Sequence, residues 1–394
     1  MKYYIIAGEA SGDLHGSNLI RALKKEDSES SFRVWGGDLM QAAGVNLVKH
    51  YKDLAFMGFL EVVKNLPAIL HNFAFCKKDI LQFQPDMLLL IDYPGFNLRM
   101  AKWARRQGLR VFYYISPQLW AWNSQRVCQI KKSVERMFVI LPFEKDFYKK
   151  YEFEVDFVGH PLLDVVGKHP KEQNFIKKNG LTTLPLLALL PGSRKQEIVK
   201  MLEIMLAVVP YFPDFQFVIA AAPSVPKEIY EGLLSKFHAT GNQKPDSAQL
   251  PPIALLENQT YALLQHAQAA LVTSGTATLE TALFRVPQVV CYKGNPLSFW
   301  LARRLVKVPF ISLVNLIADR EVVRELIQND LTINNLRLEL NKLLDTEKRA
   351  KLLRGYDELA SKLGEAGVSR RLARLVFAYL TGSKEVKTDS GSSS

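Results

Sequence analysis

Short apolar runs ending in small or polar residues recur along this chain, and most are followed by a stretch with apolar positions three or four apart. The first run, residues 3–7, precedes Leu14, Leu19, Ile20 and Leu23, which fall on one side of a helix. A run buried on both faces reads as a parallel strand, and a 3.6-residue spacing as a helix packed on it. Further strands are predicted at the run ending in Asp92, then at 111–116, 136–141, 153–158, 184–190, 215–222, 269–272 and 288–292. Helices are predicted from about Glu197, after Gly275 where Leu279, Ala282 and Leu283 share a face, over 299–307, across the charged segment 320–362 and over 369–380. Residues 311–316 read as a short strand-like run. The alternation predicts an α/β fold with two Rossmann-like, parallel-sheet halves. The expected domains are 1–168 and 184–368, joined by a polar linker at 169–183, followed by a C-terminal helix at 369–380 and a disordered tail at 381–394.

Residues 54–81 are too apolar for an ordinary surface helix. Phe56, Phe59, Leu60, Val63, Leu66, Leu70 and Phe73 follow one helical face, while Met57, Val62 and Ile69 lie on another, and Pro67 should kink or restart the helix. The second face is either buried under a neighbouring loop or an exposed apolar patch beside Lys64, Lys77 and Lys78. A patch of that kind suits a bilayer surface or acyl chains.

Composition narrows the classes. A chain of 394 residues with 48% hydrophobic and 23% charged content suits two globular domains. No run has the length of a transmembrane helix, and the first strand meets Gly8 and Glu9 at once, unlike a signal peptide, so a cytoplasmic protein is expected. Cys76, Cys128 and Cys291 are too widely spaced for a disulfide framework or zinc site, and the seven His show no paired metal-ligand spacing. The net charge of +12 points to an anionic partner or to a generally solvated basic surface. Nucleic-acid module signatures are absent, which leaves phosphorylated small molecules and acidic membranes.

The candidate chemistry sits where strands end. Ser274-Gly275-Thr276 follows a strand and opens a helix, a place where backbone N–H groups receive an anion; Glu280, about one turn on, could take ribose hydroxyls. Gly192-Ser193-Arg194 repeats the arrangement, with a guanidinium suited to phosphate oxygens. Asp92 is a candidate general base or a turn carboxylate. Gly8-Glu9-Ala10-Ser11-Gly12-Asp13 starts like a dinucleotide turn but lacks GxGxxG and the later ribose-binding acid, so NAD is not expected; Glu9, Ser11, Gly12 and Asp13 could line a cleft. Trp122 belongs to an aromatic loop that is either core or sugar platform. His160 is either a cleft residue or a hydrogen-bonded turn His, and Asn315 either meets phosphate or sugar or forms a turn.

Eight segments together resemble the lipid-A-disaccharide synthase family: 8–13, 91–97, 114–122, 141–145, 157–161, 190–194, 274–280 and 312–316, in the family's order and across nearly the whole chain. The resemblance implies a GT-B glycosyltransferase, two Rossmann-like domains facing across a cleft, acting without metal or cofactor. It implies UDP-2,3-diacylglucosamine as donor, 2,3-diacylglucosamine 1-phosphate as acceptor, and a β-1′,6-linked disaccharide 1-phosphate with UDP as products. By matching positions it makes Asp92 the base, Arg194 a diphosphate contact, and Ser274, Gly275, Thr276, Glu280 and Asn315 the nucleotide site. Phe56 to Leu70 with Met201 become the surface that meets acyl chains and the cytoplasmic face of the inner membrane. Many relatives carry an acid after the Pro of the Asp92 motif, where this chain has Gly95, so Asp92 is left as sole base there. Others have Gly at Asp319 and Pro at Arg324.

Two other readings fit the pattern. A UDP-N-acetylglucosamine 2-epimerase or another GT-B transferase would share the fold without needing the apolar face, and a non-catalytic nucleotide-sugar binder would have no activity to lose at Asp92.

Overall fold

The computed structural model describes residues 1–54, 66–122, 124–167, 169–240, 250–295, 299 and 308–382. The chain divides into two compact units, Met1–Asp164 with Leu363–Ser394, and Val165–Lys362.

The first unit holds, among the described residues, a parallel sheet in the order β3-β2-β1-β4-β5-β6-β7. These strands are β1 Lys2–Ala7, β2 Ser31–Gly36, β3 Asn46–His50, β4 Met87–Ile91, β5 Val111–Tyr114, β6 Arg136–Val139 and β7 Asp156–Phe157. All five residues of β4 are buried, as an unbroken apolar run requires when helices cover both sheet faces. One face packs Cys76 and Ile80 of helix Leu66–Phe83 with Phe96, Met100 and Ala104 of helix Pro94–Arg106. The other packs Leu19, Ile20 and Leu23 of helix Ala10–Glu26 with Leu372 and Val376 of helix Val368–Thr381.

The C-terminal helix is therefore part of the first unit, and the chain returns to that unit after Lys362 rather than after residue 368. Its N-terminus is anchored on buried Asp164, whose carboxylate accepts hydrogen bonds from the N–H groups of Gly367, of Val368 at 3.2 Å and of Ser369 at 3.1 Å. Three orphan donors of a helix start meet one anion. Asp164→Ala is expected to lower stability by about 2–4 kcal/mol in chemical denaturation, because charge-assisted bonds are lost and donors are left buried.

The second unit holds a parallel sheet in the order β10-β9-β8-β11-β12-β13. Its strands are β8 Leu186–Leu190, β9 Gln216–Ala221, β10 Ile253–Glu257, β11 Ala267–Thr273, β12 Gln288–Tyr292 and β13 Arg324–Ile327. The expected linker is packed rather than extended: within 169–183, Phe175 and Leu181 are buried against Leu186, Ala188 and Leu263. Two apolar anchors suffice to fold a segment that is polar by composition.

Residues 311–316 form no strand. Ser312 caps the helix Leu313–Ala318 by accepting from the N–H of Asn315. Within the segment expected to be helical throughout, Arg324–Ile327 is instead an edge strand with Leu326 buried. Met201 is 2% exposed in the core stripe Ile198, Met201, Leu202 and Met205 of helix Lys195–Leu206, so it belongs to no apolar surface. The expected helix at 299–307, apart from Phe299, and the expected tail from 383 onward lie outside the described residues.

In both sheets the strand order reverses once, between β1 and β4 and between β8 and β11. The loops leaving the carboxyl ends of those neighbouring strands part there, which is where open α/β sheets take ligands.

Candidate active site

In the first unit the two loops at the reversal are those after Ala7 and after Ile91, which are register partners in the sheet. A Cβ on Gly8 would lie 2.3 Å from the Tyr93 ring, so the turn after β1 admits the Tyr93 ring only because residue 8 is glycine. This contact brings Glu9 beside the Asp92 turn, and Glu9 and Ser11 are both exposed. Gly12 is buried with its Cα side toward Ala7.

Asp92 and Tyr93 both take left-handed backbone, φ 45° and 50°. Non-glycine residues hold that conformation at a cost of about 1–3 kcal/mol each and do so where the fold over-determines them. Here the clamps are visible: the Asp92 carbonyl accepts from the Tyr113 hydroxyl at 2.6 Å and from Asn97 Nδ2 at 2.7 Å, while its N–H donates to the Tyr114 carbonyl at 2.9 Å. None of these bonds uses the carboxylate. Burial and then the charge of Glu9 push the Asp92 carboxyl up to about 6, against a weaker lowering by the Tyr93 N–H. A half-buried carboxylate with that value is ionised at neutral pH and still basic enough to take a proton. Gly95 is exposed and brings no carboxylate; the nearby second carboxylate comes from Glu9 on a different loop.

A pH dependence follows. The base must be ionised, so the rate should fall as pH drops through about 6, the value to which Asp92 is raised. Removing the neighbouring charge with Glu9→Gln should move this acid limb of the kcat profile to lower pH; an unmoved limb would dissociate Asp92 from the titration.

Other expected cleft residues serve the scaffold. Asp13 is buried, its carboxylate accepting from the N–H groups of Gly37 at 2.7 Å and of Leu39 and Met40 at 3.0 Å, which caps the helix Asp38–Ala42. His160 is buried, accepts at Nδ1 from the Leu162 N–H at 3.3 Å, and is pushed down to about 3 by burial and by His15. It is a turn histidine that stays uncharged near neutral pH. Trp122 ends the short helix Leu119–Trp122, and its side chain is outside the described part. Phe56, Met57, Phe59, Leu60, Val62 and Val63 also lie outside the described residues, as does the Leu66 side chain, whereas Ile69 is half-buried and Leu70 is 58% exposed.

In the second unit the reversal joins the turns after β8 and β11. Gly192 has φ 115°, which a side chain would resist, and its α-carbon faces Glu197 and Thr273. Ser193 and Arg194 follow; the Arg194 side chain is 68% exposed and paired only with Glu197, at 3.0 Å, among the described residues. Ser274 donates to the Ile311 carbonyl at 2.9 Å, leaving Gly275 and Thr276 exposed at the start of helix Thr276–Leu283.

Glu280 accepts from the Tyr261 hydroxyl at 3.0 Å; burial raises its carboxyl and that hydroxyl partly offsets the rise. Together they line a cavity of about 380 Å³ with His169, Asn258, Gln259 and Thr260. Sequence reading missed these last residues; the signal was the apolar run 253–256 followed by Asn258, which takes φ 55°.

Asn315 corrects another expectation. Its amide donates to the Val323 carbonyl and to Glu325, both at 2.8 Å, and accepts from the N–H groups of Val322 at 2.8 Å and Val323 at 3.0 Å. All four positions are filled, leaving none for phosphate or sugar. Glu325 in turn holds the N–H groups of Ile311 and Ser312, and Ile311 holds Ser274. Asn315 thus positions the turn after β11 from behind.

Two parallel α/β units with open turns at their strand reversals define the GT-B class. Solved structures with this fold include UDP-GlcNAc 2-epimerase from Neisseria meningitidis bound to UDP-GlcNAc, 13% identical over 96% of this chain and 100% of that one, TM-score 0.64. The S. aureus MnaA–UDP co-structure is 14% identical over 99% and 100%, TM-score 0.68. At such identities they show the fold alone. The chain matches the model of the lipid-A-disaccharide synthetase (LpxB) family over residues 3–376 and belongs to that family. It is 38% identical to a lipid-A-disaccharide synthase of Trichlorobacter lovleyi over 95% of this chain and 97% of the relative. The corresponding protein of Nitrosococcus oceani is 38% identical over 96% of both chains. The chain is a glycosyltransferase of lipid A biosynthesis, and family membership implies a UDP-sugar and lipid substrates.

Proposed function

We propose that this enzyme transfers diacylglucosamine from UDP-2,3-diacylglucosamine to the 6-hydroxyl of 2,3-diacylglucosamine 1-phosphate, giving the β-1′,6-linked disaccharide 1-phosphate and UDP. The observation that carries the reading is Asp92: a half-buried carboxylate raised to about 6, at the strand reversal, its backbone clamped and its oxygens uncommitted to the clamps. The acceptor hydroxyl is a poor nucleophile until a base takes its proton as the new C–O bond forms. Attack opposite the leaving diphosphate breaks the anomeric C–O bond and inverts that carbon. UDP departs with one negative charge more than the diphosphate carried in the donor, and stabilising it is a task for Arg194 and the N–H groups at Gly275 and Thr276. Glu280, beside the cavity with Tyr261, suits the ribose hydroxyls and the base end of the nucleotide.

Among the described residues no helix is long and apolar enough to cross a membrane. Helix Leu66–Phe83 exposes Leu70 at 58%, Phe75 at 40% and Leu81 at 51%, with Lys78 also exposed. This surface supports peripheral contact with the cytoplasmic face of the inner membrane, where both lipid substrates would be met. NMR of the product tests the stereochemistry: a β linkage is expected, and an α linkage would replace single inversion by another mechanism.

A further inference from the structure

A second cavity of about 380 Å³ lies wholly on the first unit, within the size range of small-molecule sites, roughly 300–1,000 Å³. Helix Pro94–Arg106 lines it with Gly95, Arg99 and Lys102, and Arg126 and Gln129 close the other side. No acidic side chain is among the described residues of its lining. Among the described residues neither Arg99 nor Lys102 has an ion-pair partner, although 17 such pairs occur elsewhere, including Arg105 with Glu135 three residues beyond Lys102. Arg99 leans on the Phe73 ring, 5.8 Å from its centroid, which narrows its orientations.

Resting on the acceptor reading above, we infer that this pocket holds the 1-phosphate of the acceptor sugar. A phosphate monoester carries close to two charges and three acceptor oxygens, so it needs several donors from different directions. Arg99 and Lys102 stand three residues apart on one helix face and supply two of them. Gly95 contributes open backbone in the first turn of a 13-residue helix; a Cβ there would meet nothing within 4 Å, and the helix start adds positive potential. Gln129 offers an amide to a sugar hydroxyl.

Position argues the same way. The pocket wall begins at Pro94, two peptide steps from Asp92 and so at most about 7–8 Å away along the backbone. The acceptor carries its 1-phosphate on C1 and its reacting 6-hydroxyl on the arm of C5, the two carbons that flank the ring oxygen. A base with a phosphate subsite that begins two residues from it, on the same unit, would hold that molecule with its hydroxyl at Asp92. The pocket thereby selects an acceptor that carries a phosphate.

The test compares the full-length protein with Arg99→Gln and Lys102→Gln, both at exposed positions, singly and together. Two readouts are taken in mild detergent: equilibrium binding of 2,3-diacylglucosamine 1-phosphate, and KM for that acceptor beside KM for the UDP-sugar. Each substitution should weaken acceptor binding and raise acceptor KM by about tenfold, the loss of one or two charge-assisted bonds, with donor KM unchanged. The preference for the phosphorylated acceptor over 2,3-diacylglucosamine without phosphate should shrink in parallel.

Equal acceptor binding by wild type and double variant would overturn the subsite. So would weakened association of the variants with phosphatidylglycerol vesicles at unchanged acceptor KM, which would make the pocket a membrane-headgroup site. Phosphate-dependent binding lost in the variants, in a wild type that forms no disaccharide, would instead remove the transferase reading and keep the phosphate pocket.

Discussion

Replacing Asp92 by Asn is expected to lower the rate of transfer by about 10³-fold or more, a loss of roughly 4 kcal/mol of transition-state stabilisation, with UDP affinity unchanged. Asparagine matches the size of aspartate but cannot accept the proton that the sugar hydroxyl must lose. The fold should tolerate the change, because the bonds from Tyr113, Asn97 and to Tyr114 engage the backbone of residue 92 and not its side chain. Burial favours the neutral amide over the charged carboxylate, so the variant should be no less stable than the wild type. Initial rates of UDP release together with UDP calorimetry separate the effects. Turnover within tenfold of wild type would take the base role from Asp92.

The second large effect is expected at Arg194. Removing its guanidinium with Arg194→Ala should lower kcat by about 10²-fold, since donors aimed at a leaving group act mostly in the transition state. UDP binding should also weaken. The side chain is 68% exposed and engaged with Glu197 alone among the described residues, so little stability is at stake. Arg194→Lys should recover only part of the activity, because a point charge replaces a planar fork of donors. Full recovery by Lys, or an unaltered kcat in the Ala variant, would leave the diphosphate without its assigned stabiliser. Wild-type UDP affinity with depressed kcat would confine the interaction to the transition state.

Much of this arrangement was legible in the sequence because it lies where buried strands stop. An unbroken run such as 87–91 or 186–190 announces a two-sided parallel strand, and the Gly, Ser and Asp residues after it mark the ligand end. That reasoning reached Glu9, Asp92, Gly192, Arg194, Gly275 and Glu280, which the strand order gathers at the two reversals.

Edge strands escaped it. β3 has no fully buried position and β13 only Leu326, so neither carries a run to read. Roles fixed by distant partners escaped as well. Nothing local tells that Asp13 caps the helix Asp38–Ala42, or that Asn315 is spent on Val322, Val323 and Glu325. His160 was open between cleft and turn, and Met201 entered only through the family resemblance; burial gives both to the scaffold. The Asn258 to Tyr261 wall of the Glu280 cavity was hidden behind a polar stretch whose following strand, β10, is only partly buried.

The most direct measurement is mass spectrometry of the purified enzyme with UDP-2,3-diacylglucosamine and 2,3-diacylglucosamine 1-phosphate in mild detergent with EDTA, beside a parallel reaction on UDP-N-acetylglucosamine. The expected result is a disaccharide 1-phosphate with an equal amount of UDP, and no change to UDP-N-acetylglucosamine. Absence of disaccharide, with conversion of UDP-N-acetylglucosamine to its 2-epimer, would contradict the account and assign Asp92 to a different reaction.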